Sequence, residues 1–170
     1  MTKIIGAGGP SDRASIPLAT RHGSFIPNER RREKHPEQLK ASIELLDREL
    51  PAAKLRSATA LYNCMGLVFA SRRTWVDTGE LETILLEDDY KRLAGPDGAR
   101  IGDVVVYGRE DEVRHVGVIV GTQVNLMTGS REISVMSKWG ADGEYIHELD
   151  YVPALLGRPS AFWTDRRSVL

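Results

Sequence analysis

The architecture turns on two stretches, Ile101-Gly102-Asp103-Val104-Val105-Val106-Tyr107 and His115-Val116-Gly117-Val118-Ile119-Val120-Gly121. Both are short, rich in β-branched residues and bounded by glycine, which is the composition of strands. A third such run, Glu132-Ile133-Ser134-Val135-Met136-Ser137, follows another glycine-bearing loop. Antiparallel strands are therefore expected over 103–107, 115–120 and 132–137. A weaker strand pattern covers 144–148, and Phe162-Trp163 suits a strand that closes the sheet or covers its edge.

Upstream the apolar period changes. Leu39, Ile43, Leu46 and Leu50 recur at helical spacing, Pro36 fits a first helical turn, and Pro51 stops the run, so an amphipathic helix is expected there. Residues 58–75 carry Leu61, Met65, Leu67, Val68, Phe69 and Ala70, an apolar surface too broad for one stripe, which predicts a helix buried on most sides. Asp77-Thr78-Gly79-Glu80 reads as a capping box that starts a third helix, running through Leu81, Ile84, Leu85 and Tyr90 towards Leu93 and stopped by Gly95-Pro96-Asp97-Gly98. Helices first and strands afterwards, without βαβ alternation, predict an α+β domain.

Residues 1–34 hold Pro10, Pro17 and Pro27 but no sustained apolar period, and read as an extended arm ahead of a domain over 35–170. Gly6-Ala7-Gly8-Gly9 has the look of a dinucleotide loop, but Ser11 and Pro10 break that pattern. The cluster Arg30-Arg31-Arg32-Glu33-Lys34 reads as solvated surface.

A chain of 170 residues supports one domain with a sizeable core, and its net charge of -1 gives no overall positive field to recruit nucleic acid. No apolar run approaches the length that spans a bilayer, so neither a nucleic-acid partner nor a membrane span is expected. Cys64 is the only cysteine and has no internal disulfide partner, and the first thirty residues lack the apolar core of a secretory signal. The expected location is cytoplasmic, with delivery as an effector left open.

Cys64 lies where the polar pair Tyr62-Asn63 hands over to an apolar helix. Unpaired amides and the positive end of the helix dipole at such a start favour thiolate over thiol, and the same amides suit an oxyanion. A buried filler cysteine is the competing reading. His115 opens the second strand, where alternation puts it on one face with Gly117 and Ile119, and Gly117 clears space beside the imidazole. A helix-start cysteine with a strand-start histidine is a nucleophile–base arrangement.

Asn63-Cys64-Met65-Gly66-Leu67-Val68, the Gly102-Asp103 strand and the His115-Val116-Gly117 strand, in this order, resemble the NlpC-type papain-like cysteine peptidases and amidases, relatives of the CHAP amidases. The likeness covers roughly residues 58 to 140. It implies a central nucleophile helix packed on an antiparallel sheet, Cys64 as nucleophile and His115 as base. It also implies a third polar residue from the next strand to orient the imidazole, for which Ser137 is the candidate and His147 the fallback. The family more often has His, Asn, Asp or Glu there. Its cell-wall members commonly flank the cysteine with Asp and Ser, where this chain has Asn63 and Met65, which argues against the same stem-peptide substrate. Tyr62 is expected near the oxyanion by the same resemblance. Asn63, Lys138 and Trp139 join it as substrate-binding candidates, Trp139 as a wall of the cleft.

The histidines His22, His35, His115 and His147 show no metal-ligand spacing with Cys64, so no metal or other cofactor is expected. The expected function is hydrolysis of an amide or related acyl substrate, a peptide among them, through an acyl-enzyme. The alternatives are a thiol acyltransferase on the same frame and a catalytically inactive peptide-binding or scaffold module. Oligomeric state has no sequence signal.

Overall fold

The computed structural model describes residues 15–109 and 111–166. Its elements are β1 (Asn28–Glu29), α1 (Pro36–Glu49), β2 (Lys54–Ala58), α2 (Cys64–Phe69), β3 (Trp75–Val76), α3 (Leu81–Glu87), β4 (Lys91–Arg92), β5 (Val104–Arg109), β6 (Glu112–Val124), β7 (Arg131–Trp139), β8 (Gly143–Glu148) and β9 (Pro159–Thr164). The protein is α+β. A seven-stranded antiparallel sheet in the order β2-β8-β7-β6-β5-β9-β4 forms its centre, and β1 pairs separately with β3.

Side chains alternate along each strand, and the two faces of the sheet meet different layers. On one face Val104, Val106 and Val116 pack with Cys64 and Met65 of α2 and with Leu81, Ile84 and Leu85 of α3. On the other, Val105, Tyr107, Ile119, Ile133, Val135 and Phe162 form a second cluster. Trp139 and Tyr145 extend it towards Ile43 of α1 and Leu156. Full burial of a side chain of this size stabilises the fold by about 1.5–3 kcal/mol, so both faces are needed.

The three strongest strand expectations hold, with β6 and β7 longer than expected. The helix expected over 58–75 does not form as one element. Ala58 ends β2 on the edge of the sheet, Asn63 caps α2 by accepting from the Gly66 amide, and Trp75 lies in β3. The apolar residues that suggested a long buried helix lie in and beside the short α2, with Ala70 as its C-cap and Leu61 in the irregular chain before it, while only the ends of the 58–75 window are strand. Gly66 permits this fold-back, because a Cβ there would sit 1.9 Å from the Thr74 carbonyl oxygen. Ser71 and Arg72, at φ 50° and 63°, complete the reversal in the left-handed region.

The third helix also stops early. After a 3-10 turn at Thr78–Glu80, α3 ends at Glu87, and Asp89 at φ 62° breaks the helical path. Lys91 and Arg92 then pair with β9 instead of continuing towards Leu93 in a helix.

Residues 15–34 are mostly irregular but bound to the domain. Ile26 is 1% exposed within the α2–α3 cluster. Asn28 bonds Ile16 through both its amide groups and accepts from Thr74. The glycines at 6, 8 and 9 lie outside the described residues.

Candidate functional site

Cys64 is the first residue of α2 and only 6% exposed. The Asn63 side chain is engaged in structure: its Oδ1 accepts from the Gly66 and Val76 amides, and its Nδ2 donates to the Val76 carbonyl at 2.7 Å. Burial pushes the Cys64 thiol up, against the amides of Val116, Met65 and Cys64 itself and the positive charge of Lys138. The net direction is away from thiolate.

His115 is not beside it. Val116 is the β6 residue that packs with Cys64, while His115 pairs across β5 with Tyr107 and shares that residue's face. The imidazole centroid lies 5.4 Å from the Tyr107 ring, and His115 is 1% exposed. Burial, with a smaller contribution from His147, pushes its pKa down to about 3. His115 Nε2 is buried with no hydrogen-bond partner among the described residues. The expected thiol–imidazole pair is therefore corrected: the backbone of the sheet separates its two members. The shared face of His115, Gly117 and Ile119 was legible, but α2 covers the other one.

The space expected beside the imidazole is also filled. A Cβ on Gly117 would lie 2.5 Å from Val135 Cγ1 and 3.2 Å from Ser137 Cβ, so the missing side chain admits the neighbouring strand and leaves no room for substrate.

Ser137 shares His115's face but orients His147 instead. Its Oγ lies 2.8 Å from His147 Nε2 and accepts from Trp139 Nε1 at 3.0 Å. His147 Nδ1 lies 2.8 Å from the Glu148 carbonyl oxygen, which only accepts, so Nδ1 carries the proton and Ser137 donates to Nε2. Trp139, Ser137 and His147 thus form a satisfied neutral chain. Trp139 is 3% exposed and stacks on Tyr145 with centroids 4.1 Å apart, making it a core residue instead of a cleft wall. Burial holds the His147 pKa down at about 4, against the Glu148 bond.

On β7 and β8 the face of the sheet that meets α2 carries the buried charge; the other buried carboxylate among the described residues, Asp103 beside the start of β5, is paired with Arg166. Lys138 is completely buried, donates from Nζ to the Gly140 carbonyl at 2.9 Å, and sits 5.4 Å from the centroid of the Tyr62 ring. Burial pushes its pKa down to about 8, resisted by the acids Asp142, Glu33 and Glu144. Tyr62 donates to Glu144 Oε2 at 2.7 Å, and Arg72 grips the same carboxylate with bonds of 2.8 and 3.1 Å. Burial acts to raise the Glu144 pKa, but these bonds, with the charges of Arg72 and Lys138, hold it below its ordinary value. Sequence reasoning missed Arg72 and Glu144. The available signal was Glu144 alternating with Tyr145 and His147, which puts an acid on the face opposite two aromatic rings.

The structure thus gathers Tyr62, Cys64 and Lys138 on one face and His115, Ser137, Trp139 and His147 on the other. A cavity of about 570 Å³ opens on the first face, beside α3. Leu81, Leu85, Val106, Val113, Ala161 and Trp163 give it an apolar floor, and Glu82, Arg109, Asp111 and Glu112 supply charge around it. Neither Cys64 nor His115 lines it. Among the described residues no three His, Cys, Asp or Glu side chains are grouped to hold a metal ion. No helix among them is long and apolar enough to cross a membrane.

No protein-family model, no curated protein and no solved structure matches this chain.

Proposed function

We propose that this chain is a peptide-binding module on a frame resembling the NlpC-type papain-like hydrolases, with the acyl-transfer chemistry of that frame absent. The observation that carries this reading is the placement of Cys64 and His115 on opposite faces of one sheet. A thiolate–imidazolium pair needs hydrogen-bond reach between its members, and a base kept neutral on the far side of a strand cannot take the thiol proton. The cavity beside α3 suits an extended peptide: apolar side chains meet Leu85, Val113 and Trp163, and Arg109, Asp111 and Glu112 meet polar or charged groups at its rim.

The test is a nuclear magnetic resonance titration with a library of decapeptides having apolar centres and charged flanks. Amide shifts confined to α3, β5 and the start of β6, abolished by Val113→Glu, are expected. Turnover of an amide, ester or thioester probe that disappears in Cys64→Ala overturns the reading.

One observation favours a second reading, a thiol hydrolase or acyltransferase with Lys138 in place of histidine. Lys138 is buried on the Cys64 side and has a pKa near 8. Neutral Lys138 would accept the thiol proton, the thiolate would attack an acyl carbon and expel the leaving group, and water or an amine would release the acyl chain. Iodoacetamide alkylation from pH 5 to 9 separates the readings, because Cys64 is the only thiol. The binding module predicts slow labelling that rises only above the ordinary thiol range. The Lys138 reading predicts labelling that rises near pH 8 and is lost in Lys138→Met. His115→Ala leaves the profile unchanged under both readings.

A further inference from the structure

Two arginine pairs distant in sequence meet in one cavity. Arg30, Arg31, Arg72 and Arg73 line a space of about 270 Å³ together with Leu61 and Ile16. The β1–β3 pairing, with Glu29 opposite Trp75, brings the first pair beside the second. The left-handed turn at Ser71 and Arg72, which the missing Cβ of Gly66 permits, presents Arg72 and Arg73 to the same space. Strained backbone of this kind persists where the surrounding structure holds it, and clusters at binding sites.

The four guanidiniums are not equivalent. Arg31 is ion-paired with Glu29 and lies 3.7 Å above the Trp75 ring, whose Nε1 is anchored on the Ala60 carbonyl. Arg72 is fixed by both oxygens of the buried Glu144. The side chains of Arg30 and Arg73 make no hydrogen bond or ion pair among the described residues. The two carboxylates offset two of the four cations, leaving two positive charges unbalanced around a small space. Two of the forks are already oriented and two are free to close. Guanidinium forks match phosphoryl oxygens, and a phosphate group near neutral pH carries close to two negative charges with three terminal oxygens.

We propose that this cavity binds the phosphoryl dianion of a small molecule, a phosphate monoester or a diphosphate group. Its volume suits one such group and is far short of a track for a polymer backbone. The proposal is independent of the groove beside α3, with which the cavity shares no lining residue.

Calorimetric titration of the full chain with inorganic pyrophosphate, at ionic strength held constant with sodium chloride, tests it. Saturable one-site binding is expected. Arg30→Gln and Arg73→Gln, both at exposed side chains, each weaken it by about tenfold or more, the worth of a charge-assisted hydrogen bond. Arg32→Gln, which changes a neighbouring charge outside the lining, leaves affinity within about twofold. The absence of saturable binding overturns the proposal, as does equal weakening by Arg32→Gln and Arg73→Gln, which marks diffuse attraction. Association with phosphatidic acid vesicles in the absence of pyrophosphate binding overturns the small-molecule source.

Discussion

The polar groups that β6, β7 and β8 bury are handled by opposite means on the two faces of the central sheet. Beside α2, Lys138 and Glu144 are kept charged and compensated through Arg72, Tyr62 and the Gly140 carbonyl. Beneath α1 and the segment that follows β8, His115 and His147 are kept neutral among aromatic rings. Neighbouring residues of the same strands make up both sets, as Ser137 and Lys138 do on β7. A charge-compensated face fails when one partner is removed, whereas a neutral face fails when protons are supplied.

The largest expected effect is therefore that of acid on the neutral face. Both histidines have folded-state pKa values, about 3 and about 4, below the ordinary 6.5. Below pH 6.5 the unfolded chain binds protons that the folded chain refuses, so stability is fully present above that value and falls as pH drops towards 4 and 3. Two such groups give a loss of about 4 kcal/mol at pH 5 relative to pH 7. Urea denaturation across this range measures it. His115→Leu, which also removes the unpartnered Nε2, should about halve the slope, and an unchanged slope would break the contrast between the faces.

Next in size is Glu144→Ala on the charged face. Removing one member of a buried ion pair costs about 3–5 kcal/mol, and the completely buried Lys138 loses one of the acids that oppose its desolvation. The Arg72 side chain is 45% exposed and recovers solvation, which places the expected loss near 3 kcal/mol at pH 7. A loss below about 1 kcal/mol would show that the charges are balanced elsewhere. Ser137→Ala on the neutral face should cost less, about 1–3 kcal/mol, because it strands His147 Nε2 and Trp139 Nε1 without stranding a charge.

This contrast also explains what was legible beforehand. The β-branched runs at Val104–Arg109 and within β6 and β7 announce strands because a pleated, half-buried surface selects those residues. The Leu39, Ile43, Leu46 and Leu50 stripe announces α1 for the equivalent helical reason. Alternation likewise assigns His115 and Gly117 to one face. Which layer then covers that face is a long-range outcome of packing, and nothing near residue 115 encodes it. Glu144 found its partner Arg72 on a turn 72 positions away, beyond any local pattern. Residues 58–75 misled because the apolar run fills only the short α2, and the left-handed Ser71 and Arg72 reverse the chain directly after it.

The smallest effect concerns Asn63, the residue that caps α2. Asparagine here serves as both acceptor and donor: Oδ1 caps α2 at the Gly66 amide, and Nδ2 reaches the Val76 carbonyl, tying the helix start to β3. Asn63→Asp keeps the cap and adds a favourable charge at a helix start, but turns a carboxylate oxygen towards a carbonyl oxygen. The expected net cost is about 1 kcal/mol. Asn63→Ala loses the cap as well and should cost about 2 kcal/mol. If Asn63→Asp instead proves neutral and speeds alkylation of Cys64, the residue serves the thiol; if it costs stability and leaves alkylation unchanged, its amide is there to join α2 to β3.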